Sequence, residues 1–345
     1  MQYKKSVKLK QGDTVAIVSP SWGGPSVFPH VYENGLKILT EWGLKIKEFP
    51  TARMDASFLR ENPQVRAKDI NDAFADPEVK AIFASIGGDD SVRILPFVDK
   101  DIVAKNPKIL MGYSDTSTLH VFANLQGLVS FYGPSIMAGF SQMESLPESF
   151  KTHAHDILFE SKENYEYKAY GKYCDGYFDW SDKENLGKTK PIKTDNGWHW
   201  LQGNAKVQGE LFGGCIEVLE MMKATNFWPS RDFWKGKIFF LETSEKKPSI
   251  NYIDHVLRNY GMLGVFDQIS GFIFSRARDY SDDEKKELEE KIISIVAKEF
   301  GKPNLPIIAN FDVGHTDPQF VLPLGVKAEI DCSTKKVSLV EHWLE

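Results

Sequence analysis

Cysteine is scarce in this chain, and long apolar runs are missing. The three cysteines, Cys174, Cys215 and Cys332, are widely spaced, which gives neither a disulfide framework nor a zinc pattern and suits a reducing cytoplasm. The apolar segment TVAIVSP is far too short to span a bilayer. The N-terminal stretch MQYKKSVKLKQGD has basic residues but no apolar stretch behind them, so we expect no signal peptide. These features predict a cytoplasmic protein that does not contact a membrane.

The chain also lacks a long basic run, an internal repeat and a low-complexity tract. Its formal net charge is −6, which disfavours a nucleic acid polymer as its main partner. The length of 345 residues predicts two domains, and a hydrophobic content of 42% is ordinary for a folded chain with a sizeable core.

Short apolar runs alternate with helical patterns over the first 135 residues. Strands are predicted at 14–20, 44–50, 79–88, 108–114 and 128–134, with helices at 31–43 and 62–77 and after residue 114. This alternation predicts βαβ units and a mainly parallel sheet. Ligands bind such sheets beyond the carboxyl ends of the strands, where SIGGDDS and GYSD both fall.

The regular alternation ends near residue 140. Residues 160–204 are rich in Tyr, Trp, Gly, Lys and Asp without sustained periodicity, which predicts a long connection or lid. Beyond it, GELFGGCIEVLEMMKAT suggests a turn and then a helix, strands are predicted at 236–244, 269–277 and 305–312, and the C-terminal residues suggest a hairpin. We therefore divide the chain into an α/β domain at 1–160, a connecting loop or lid at 161–204, and a β-rich domain at 205–345.

Ser114 stands where a predicted strand turns into a predicted helix, in the segment MGYSDTST. With Gly112 two positions earlier, the segment resembles a nucleophile elbow, in which a strained turn exposes a serine hydroxyl. The last glycine of that motif is replaced by Thr116. On the motif alone, a helix cap formed by Ser114, Asp115 or Thr116 is the competing interpretation.

The segment SIGGDDS offers a second feature at a strand end. Two glycines permit positive φ and close backbone approach, and successive free N–H groups can hold a phosphate or an oxyanion. A tight turn capped by Asp89 or Asp90 explains the segment equally well.

A serine nucleophile needs a base and a carboxylate that orients the base. His315 follows a predicted strand in the turn VGHTDP, a position where scaffolds present catalytic groups, although a loop histidine without a role is also common. Glu242 ends the apolar run IFFL, where a carboxylate needs a partner, although a surface position at the strand end is the alternative.

Six segments together resemble the LD-carboxypeptidases, a serine peptidase family that includes the microcin C immunity carboxypeptidases. The segments are GDTVAIVSPS, SIGGDDS, MGYSDTS, GELFGGCIEVL, FLETSE and VGHTDPQFVLPLGVKAEID. Each is weak alone, but they occur in the family's order and span nearly the whole chain.

The resemblance implies a triad of Ser114 as nucleophile, His315 as base and Glu242 as orienting acid, with the backbone N–H groups of Gly88 and Asp115 as oxyanion hole. It implies an α/β fold: an N-terminal flavodoxin-like, mainly parallel sheet with helices on both faces, followed by a smaller β-rich C-terminal domain that carries Glu and His. It also implies a homodimer and catalysis without a metal or organic cofactor.

The resemblance further implies a small peptide or peptidyl-nucleotide substrate. The immunity branch hydrolyses the amide between an aminoacyl or peptidyl group and a nucleotide-like moiety, whereas classical members trim muropeptide tetrapeptides. A nucleotide- or anion-binding module with an inactive triad is a third alternative, which a Ser114–His315 separation beyond about 4.5 Å would favour.

Four residues are candidates for substrate binding. Trp180 lies in the lid, where the immunity branch carries an aromatic that stacks on the nucleobase; packing is the alternative, as it is for Trp198 and Trp200 in the same segment. Lys246 and Lys247 follow Glu242 and suit a phosphate or carboxylate, unless they are solvated surface lysines. Cys215 stands where many relatives carry Asn, so it either alters substrate recognition or is a buried apolar residue.

Overall fold

Two large β-sheets form the framework of the protein. A computed structural model describes residues 2–345. Within that range the strands are β1 Thr14–Val18, β2 Lys45–Glu48, β3 Val79–Ala84, β4 Ile109–Gly112, β5 Ser130–Tyr132, β6 Tyr165–Tyr167, β7 Lys172–Tyr173, β8 Lys193–Thr194, β9 His199–Gln202, β10 Lys206–Cys215, β11 Ile238–Glu242, β12 Gly271–Ser275, β13 Ile307–Phe311, β14 Leu322–Leu324, β15 Lys327–Asp331 and β16 Lys336–Leu339.

Helices pack around these sheets. The α-helices of the described residues are α1 Gly24–Val27, α2 Pro29–Glu41, α3 Ala56–Glu61, α4 Pro63–Ala75, α5 Lys100–Lys105, α6 Ser117–Leu125, α7 Glu148–Phe159, α8 Ile216–Met222, α9 Ile250–Met262, α10 Val265–Gln268 and α11 Asp282–Ile293. Short 3₁₀ helices lie at Pro50–Ala52, Ser91–Phe97, Ser114–Thr116, Met143–Ser145, Lys183–Asn185 and Arg231–Trp234, and a π-helix lies at Ser294–Glu299.

The first sheet is parallel except at one edge. Its strand order is β14-β5-β4-β3-β1-β2, and only β14 runs antiparallel. Strands β1, β3 and β4 are almost wholly buried, as expected for parallel strands covered on both faces. The predicted α/β fold with a mainly parallel N-terminal sheet is confirmed.

The second sheet has the order β6-β16-β15-β10-β11-β12-β13-β9. Its central strands β10 to β13 are parallel, and antiparallel strands flank them on both sides. The predicted turn before α8 is wrong: the ten residues Lys206–Cys215 form one continuous strand, because their backbone pairs with β15 first and β11 later.

The segment 161–204 is not a structureless connection. It contributes β6 and β9 to opposite edges of the second sheet, and β7 and β8 form a hairpin of their own. The C-terminal part of the chain also returns to the first sheet, where β14 pairs with β5. Residues from distant parts of the chain are therefore brought to the carboxyl ends of β3, β4, β11 and β13.

Candidate active site

Ser114 occupies a strained turn between β4 and α6. Its φ is +59°, a left-handed conformation that is uncommon for a residue other than glycine and that typically marks a functional site. Thr116, at the cap position of α6, makes no side-chain capping hydrogen bond, and the Ser114 hydroxyl points to His315 instead. The structure thus favours the elbow interpretation of this segment over the helix cap.

Ser114, His315 and Glu242 form one line of hydrogen bonds. His315 Nε2 lies 3.1 Å from Ser114 Oγ, and His315 Nδ1 lies 2.7 Å from Glu242 Oε2. Glu242 is fully buried at the end of β11, and Gly314 permits its close approach because a Cβ there would lie 2.3 Å from Glu242 Oε2. The Ser114–His315 distance is within hydrogen-bond reach, so the criterion for an inactive module is not met.

Opposing effects act on the pKa of His315. Burial of the ring lowers its pKa, but the charge and hydrogen bond of Glu242, together with Glu245, outweigh burial and raise the pKa to about 10. The Nδ1–H therefore donates to Glu242, which fixes the orientation of the ring.

The glycine loop after β3 lies directly against the turn at Ser114. A Cβ on Gly87 would lie 3.1 Å from Ser114 Oγ and 3.4 Å from the Asp115 nitrogen, so a larger residue would crowd the hydroxyl. Gly88 has φ +155°, and a Cβ there would lie 2.1 Å from Ser21 Oγ. Gly88 therefore requires glycine and Gly87 leaves little room for a side chain, in agreement with a loop that approaches Ser114 closely.

The side chain of Asp115 joins the turn at Ser114 to the loop after β3. Its Oδ2 accepts hydrogen bonds from the N–H groups of Asp90 and Ser91 at 3.0 and 2.8 Å. Burial raises the pKa of this carboxyl. The buried Arg66 holds the same loop from the other side, with bonds of 2.7 and 3.1 Å to Asp90. The side chain of Asp115 is thus structural, which leaves only its backbone N–H for the predicted oxyanion hole.

Tyr132 is a site residue that the sequence did not reveal. Its hydroxyl donates to Glu242 Oε1 at 2.5 Å and accepts the N–H of Ser114 at 3.1 Å. Tyr132 ends β5 of the first sheet, whereas Glu242 ends β11 of the second. The phenol thus links the turn at Ser114 to Glu242 across the two sheets.

A cavity of about 240 Å³ opens in front of Ser114. It is lined by Ser114, His315, Gly88, Trp180, Tyr177 and Arg278, among others. The rings of Trp180 and Tyr177 stack 4.7 Å apart at 12°. A neighbouring cavity of about 400 Å³, which contains Arg60 and Lys246, shares Trp22, Gly88 and Glu245 with it.

Only two of the four predicted substrate-binding residues line a cavity. Trp180 lines the catalytic cavity and Lys246 the neighbouring one, whereas Cys215 and Lys247 line neither. Cys215 is buried on β10 beside Glu242, and its Sγ lies 3.2 Å from Glu217 Oε2. Lys247 forms an ion pair of 2.8 Å with Glu284, which holds its ammonium group outside both cavities.

The other two tryptophans of the segment 161–204 pack against the second sheet. Trp198 donates to Asp312 at 2.8 Å and its ring lies 4.6 Å from Phe311, while Trp200 pairs with Ile308 in the second sheet. Packing therefore accounts for Trp198 and Trp200, whereas Trp180 both packs against Tyr177 and Phe28 and lines the cavity.

Within residues 2–345, no group of three or more His, Cys, Asp or Glu side chains is arranged to hold a metal ion. Over the same range, no helix is both long and apolar enough to cross a membrane. The cysteines are not paired, and Cys174 and Cys215 are buried.

A hydroxyl, an imidazole and a buried carboxylate in one hydrogen-bonded line at strand ends is an arrangement that recurs in hydrolases of unrelated folds. Residues 15–133 match the N-terminal domain of the LD-carboxypeptidases, and residues 208–330 match their C-terminal domain. Together the two matches cover well over half of the chain. The protein therefore belongs to the LD-carboxypeptidase family, a family of peptidases.

Named relatives are similar to the chain over almost its whole length. The microcin C7 self-immunity protein MccF of Escherichia coli is 28% identical, over 97% of this chain and 95% of that protein. The probable murein peptide carboxypeptidase of Bacillus subtilis is 27% identical, over 99% of this chain and 95% of that protein. The structure of MccF in complex with aspartyl sulfamoyl adenosine superposes with a TM-score of 0.87 at 28% identity, and covers 99% of this chain and 100% of that one.

Proposed function

We propose that the protein is a serine carboxypeptidase in which Ser114 is the nucleophile, His315 the base and Glu242 the orienting acid. The observation that carries this proposal is the hydrogen-bonded line from Glu242 through His315 to a serine held at positive φ beside an open cavity. Without the strained turn, a Ser–His contact would be an ordinary polar pair; with it, the hydroxyl is presented to a ligand.

The reaction follows from the positions of the three groups. Neutral His315 accepts the proton of Ser114 Oγ at Nε2 while Oγ attacks the carbonyl carbon of the substrate. Glu242 holds the Nδ1–H and stabilises the imidazolium that forms. The imidazolium then protonates the leaving nitrogen, and a water molecule hydrolyses the acyl-enzyme by the same proton relay.

The developing oxyanion needs donors on the cavity side of Ser114. We assign this role to the backbone N–H groups of Gly88 and Asp115, because Gly88 lines the cavity and Asp115 follows the nucleophile directly. One such donor is worth about 3–4 kcal/mol of transition-state stabilisation in well-studied hydrolases. These steps use only side chains, backbone groups and water, so they require no metal or organic cofactor.

As substrate we propose an amide between an aminoacyl or peptidyl group and a nucleotide-like moiety. Three observations support this choice: the similarity to MccF over the whole chain, the similarity to its complex with aspartyl sulfamoyl adenosine, and the placement of Trp180 in the cavity. An aromatic platform of this kind contributes about 1–3 kcal/mol per stacked base. Lys246 in the neighbouring cavity is a candidate for an anionic group of the substrate.

A second candidate function is muramoyl-tetrapeptide LD-carboxypeptidase activity. Similarity to the probable murein peptide carboxypeptidase of Bacillus subtilis favours it. The same triad serves both reactions, so the difference lies in what the cavity accepts. For either reaction we infer from the family resemblance that the protein is a homodimer in the cytoplasm. Light scattering tests the oligomeric state, and cell fractionation tests the location.

Two substrates separate the candidates. Purified protein is incubated with aspartyl sulfamoyl adenosine and with muropeptide tetrapeptide, and the products are identified by mass spectrometry. We expect hydrolysis of the nucleoside conjugate, loss of turnover in Ser114→Ala and retained binding of the intact conjugate by that variant. Hydrolysis of only the tetrapeptide would establish the second candidate, and unchanged turnover in Ser114→Ala would reject the nucleophile.

A further inference from the structure

A second carboxylate, Glu245, lies against the catalytic histidine. Its Oε2 is 3.2 Å from His315 Nε2, the nitrogen that also faces Ser114 Oγ at 3.1 Å. Unlike Glu242, which is fully buried, the side chain of Glu245 is 52% exposed and lines both cavities. Since the two distances share Nε2, a ligand beside Ser114 Oγ is also beside Glu245.

Within residues 2–345, no lysine or arginine lies within ion-pair distance of Glu245. The nearest basic neighbours have other partners: Lys246 faces Asp89 at 3.9 Å, and Arg278 contacts Asp279 at 3.3 Å. The ion pair with His315 is thus the closest contact of this half-exposed carboxylate with a basic group, and the charge of Arg278 acts on it from farther away. A carboxylate at the mouth of a cavity with no dedicated lysine or arginine partner is suited to a cationic ligand.

The resting site holds His315 between two carboxylates. The His315 contact lowers the pKa of Glu245 to about 2, and the two carboxylates together raise the pKa of His315 despite its burial. The other groups that face this region are Asp317, whose pKa burial raises, the ring of Tyr113 at 4.9 Å, and Arg278. With Nε2 protonated toward Glu245, His315 cannot accept the proton of the serine.

We propose that Glu245 binds the α-ammonium group of the aminoacyl part of the substrate and thereby releases His315 to act as base. This rests on the proposed function and deepens it by assigning the cationic end of the substrate. The α-nitrogen of an aminoacyl group is two bonds from the scissile carbonyl carbon, so a carbonyl at Ser114 places that nitrogen within reach of Glu245. A substrate with a blocked amine would lack this contact.

The proton balance of the step is simple. The ammonium group of the substrate takes over the ion pair with Glu245, so the charge that stabilised the imidazolium at Nε2 is neutralised. The proton on Nε2 then leaves to solvent, and one proton is released for each substrate bound. Attack follows with Nε2 free to take the proton from Ser114 Oγ.

The test replaces one oxygen of the carboxylate. Glu245→Gln keeps the shape of the side chain and removes its charge; Glu78→Gln is the matched control, since Glu78 is exposed and pairs with Lys47 before β3, at the opposite ends of these strands. The pKa of His315 is measured by ¹⁵N NMR titration, and kcat/KM is measured against pH with aspartyl sulfamoyl adenosine and its N-acetyl derivative. Glu245→Asp tests rescue by a shorter carboxylate.

We expect Glu245→Gln to lower the pKa of His315 by about one unit or more, and the acidic limb of kcat/KM to move to lower pH by the same amount. The preference for the free amine over the N-acetyl compound should fall about tenfold, mostly through KM. Glu78→Gln should change neither quantity, and Glu245→Asp should restore part of the preference.

Two results would overturn the proposal: an unchanged pKa of His315 in Glu245→Gln, or an unchanged ratio between the two compounds. In Ser114→Ala, binding of aspartyl sulfamoyl adenosine should itself lower the pKa of His315, and no change on binding would also reject the release step. Because the titrations need no turnover, their outcome is separate from that of the proposed function, which fails if the parent protein hydrolyses neither compound.

Discussion

Tyr132→Phe removes one oxygen atom from the link between the two halves of the site. In the parent protein this hydroxyl donates to Glu242 Oε1 at 2.5 Å and accepts the Ser114 N–H at 3.1 Å. Burial and Glu242 keep the pKa of Tyr132 well above its ordinary value, so the hydroxyl stays protonated and remains a donor. In the variant, a buried carboxylate oxygen and a backbone N–H both lose their partner.

The expected cost follows from the kinds of bond that are lost. A hydrogen bond to a charged group contributes about 1.5–3 kcal/mol and a neutral one about 1 kcal/mol, so the free energy of unfolding should fall by about 2–4 kcal/mol. Glu242 also loses one of the contacts that orient it toward His315. If about 1.4 kcal/mol of that loss falls on the transition state, kcat drops about tenfold.

Two other buried tyrosines provide matched controls. Tyr167 donates to the backbone oxygen of Val321 at 3.1 Å, so Tyr167→Phe should cost about 1 kcal/mol and leave kcat unchanged. The buried Tyr260 hydroxyl has no hydrogen-bond partner, so Tyr260→Phe should cost less still. Urea unfolding and steady-state hydrolysis of aspartyl sulfamoyl adenosine measure the two effects for all three variants.

The comparison among the three tyrosine variants decides whether the Tyr132 hydroxyl links Ser114 to Glu242. If Tyr132→Phe loses no more stability than Tyr167→Phe and keeps the kcat of the parent protein, the hydroxyl does not link Ser114 to Glu242 in the way argued. Lower stability with unchanged kcat would limit its role to folding.

Two further predictions concern the glycine loop and a buried histidine. Gly88→Ala should lower kcat about 100-fold or more, because its Cβ would lie 2.1 Å from Ser21 Oγ and displace an oxyanion donor, whereas Gly171→Ala, also at positive φ but in open space, should not. His153 accepts the Val321 N–H at 2.8 Å, and burial lowers its pKa to about 3, so the unfolded chain takes up the proton first as the pH falls below about 6.5. Through His153 alone, the free energy of unfolding should fall by about 2 kcal/mol between pH 7 and pH 5, so urea unfolding should show a smaller fall in His153→Gln, which keeps an acceptor.

A specific result would contradict each of these two predictions. Equal kcat in the two alanine variants would show that the loop donates no hydrogen bond to the transition state. A pH dependence of unfolding that is the same in His153→Gln and in the parent would show that this histidine does not couple protonation to folding.

The local features of the site could be predicted from the sequence. The alternation of apolar runs and helical patterns places β1 to β5 within a few residues. Burial on both faces of the inner strands β1, β3 and β4 demands a continuous apolar run, whereas the edge strand β2 is polar. Ser114 and His315 each follow such a run in a turn, and Glu242 ends one. Strand-end placement is a local property, so the sequence marks these residues as candidates, while the family resemblance was needed to group them into a triad.

Tertiary structure decided everything that depends on which strands become neighbours. The chain separates Ser114 from His315 by 201 residues, and no local pattern states that Tyr132 of one sheet meets Glu242 of the other. The strand Lys206–Cys215 likewise looks like a turn because its glycines lack side chains, yet backbone pairing on both sides keeps it extended.

The same distinction separates the substrate candidates. Trp180, Lys246 and Lys247 are equally plausible in the sequence, but only the first two face a cavity, since Glu284 from a distant helix holds the third. Glu245 belongs to the segment FLETSE, but the sequence predicted no role for it because a glutamate after a strand is common. Its importance arises only from the pairing order of the second sheet, in which β11 and β13 lie on either side of β12, so that the segments after them bring its carboxylate against His315 at the opening of the site.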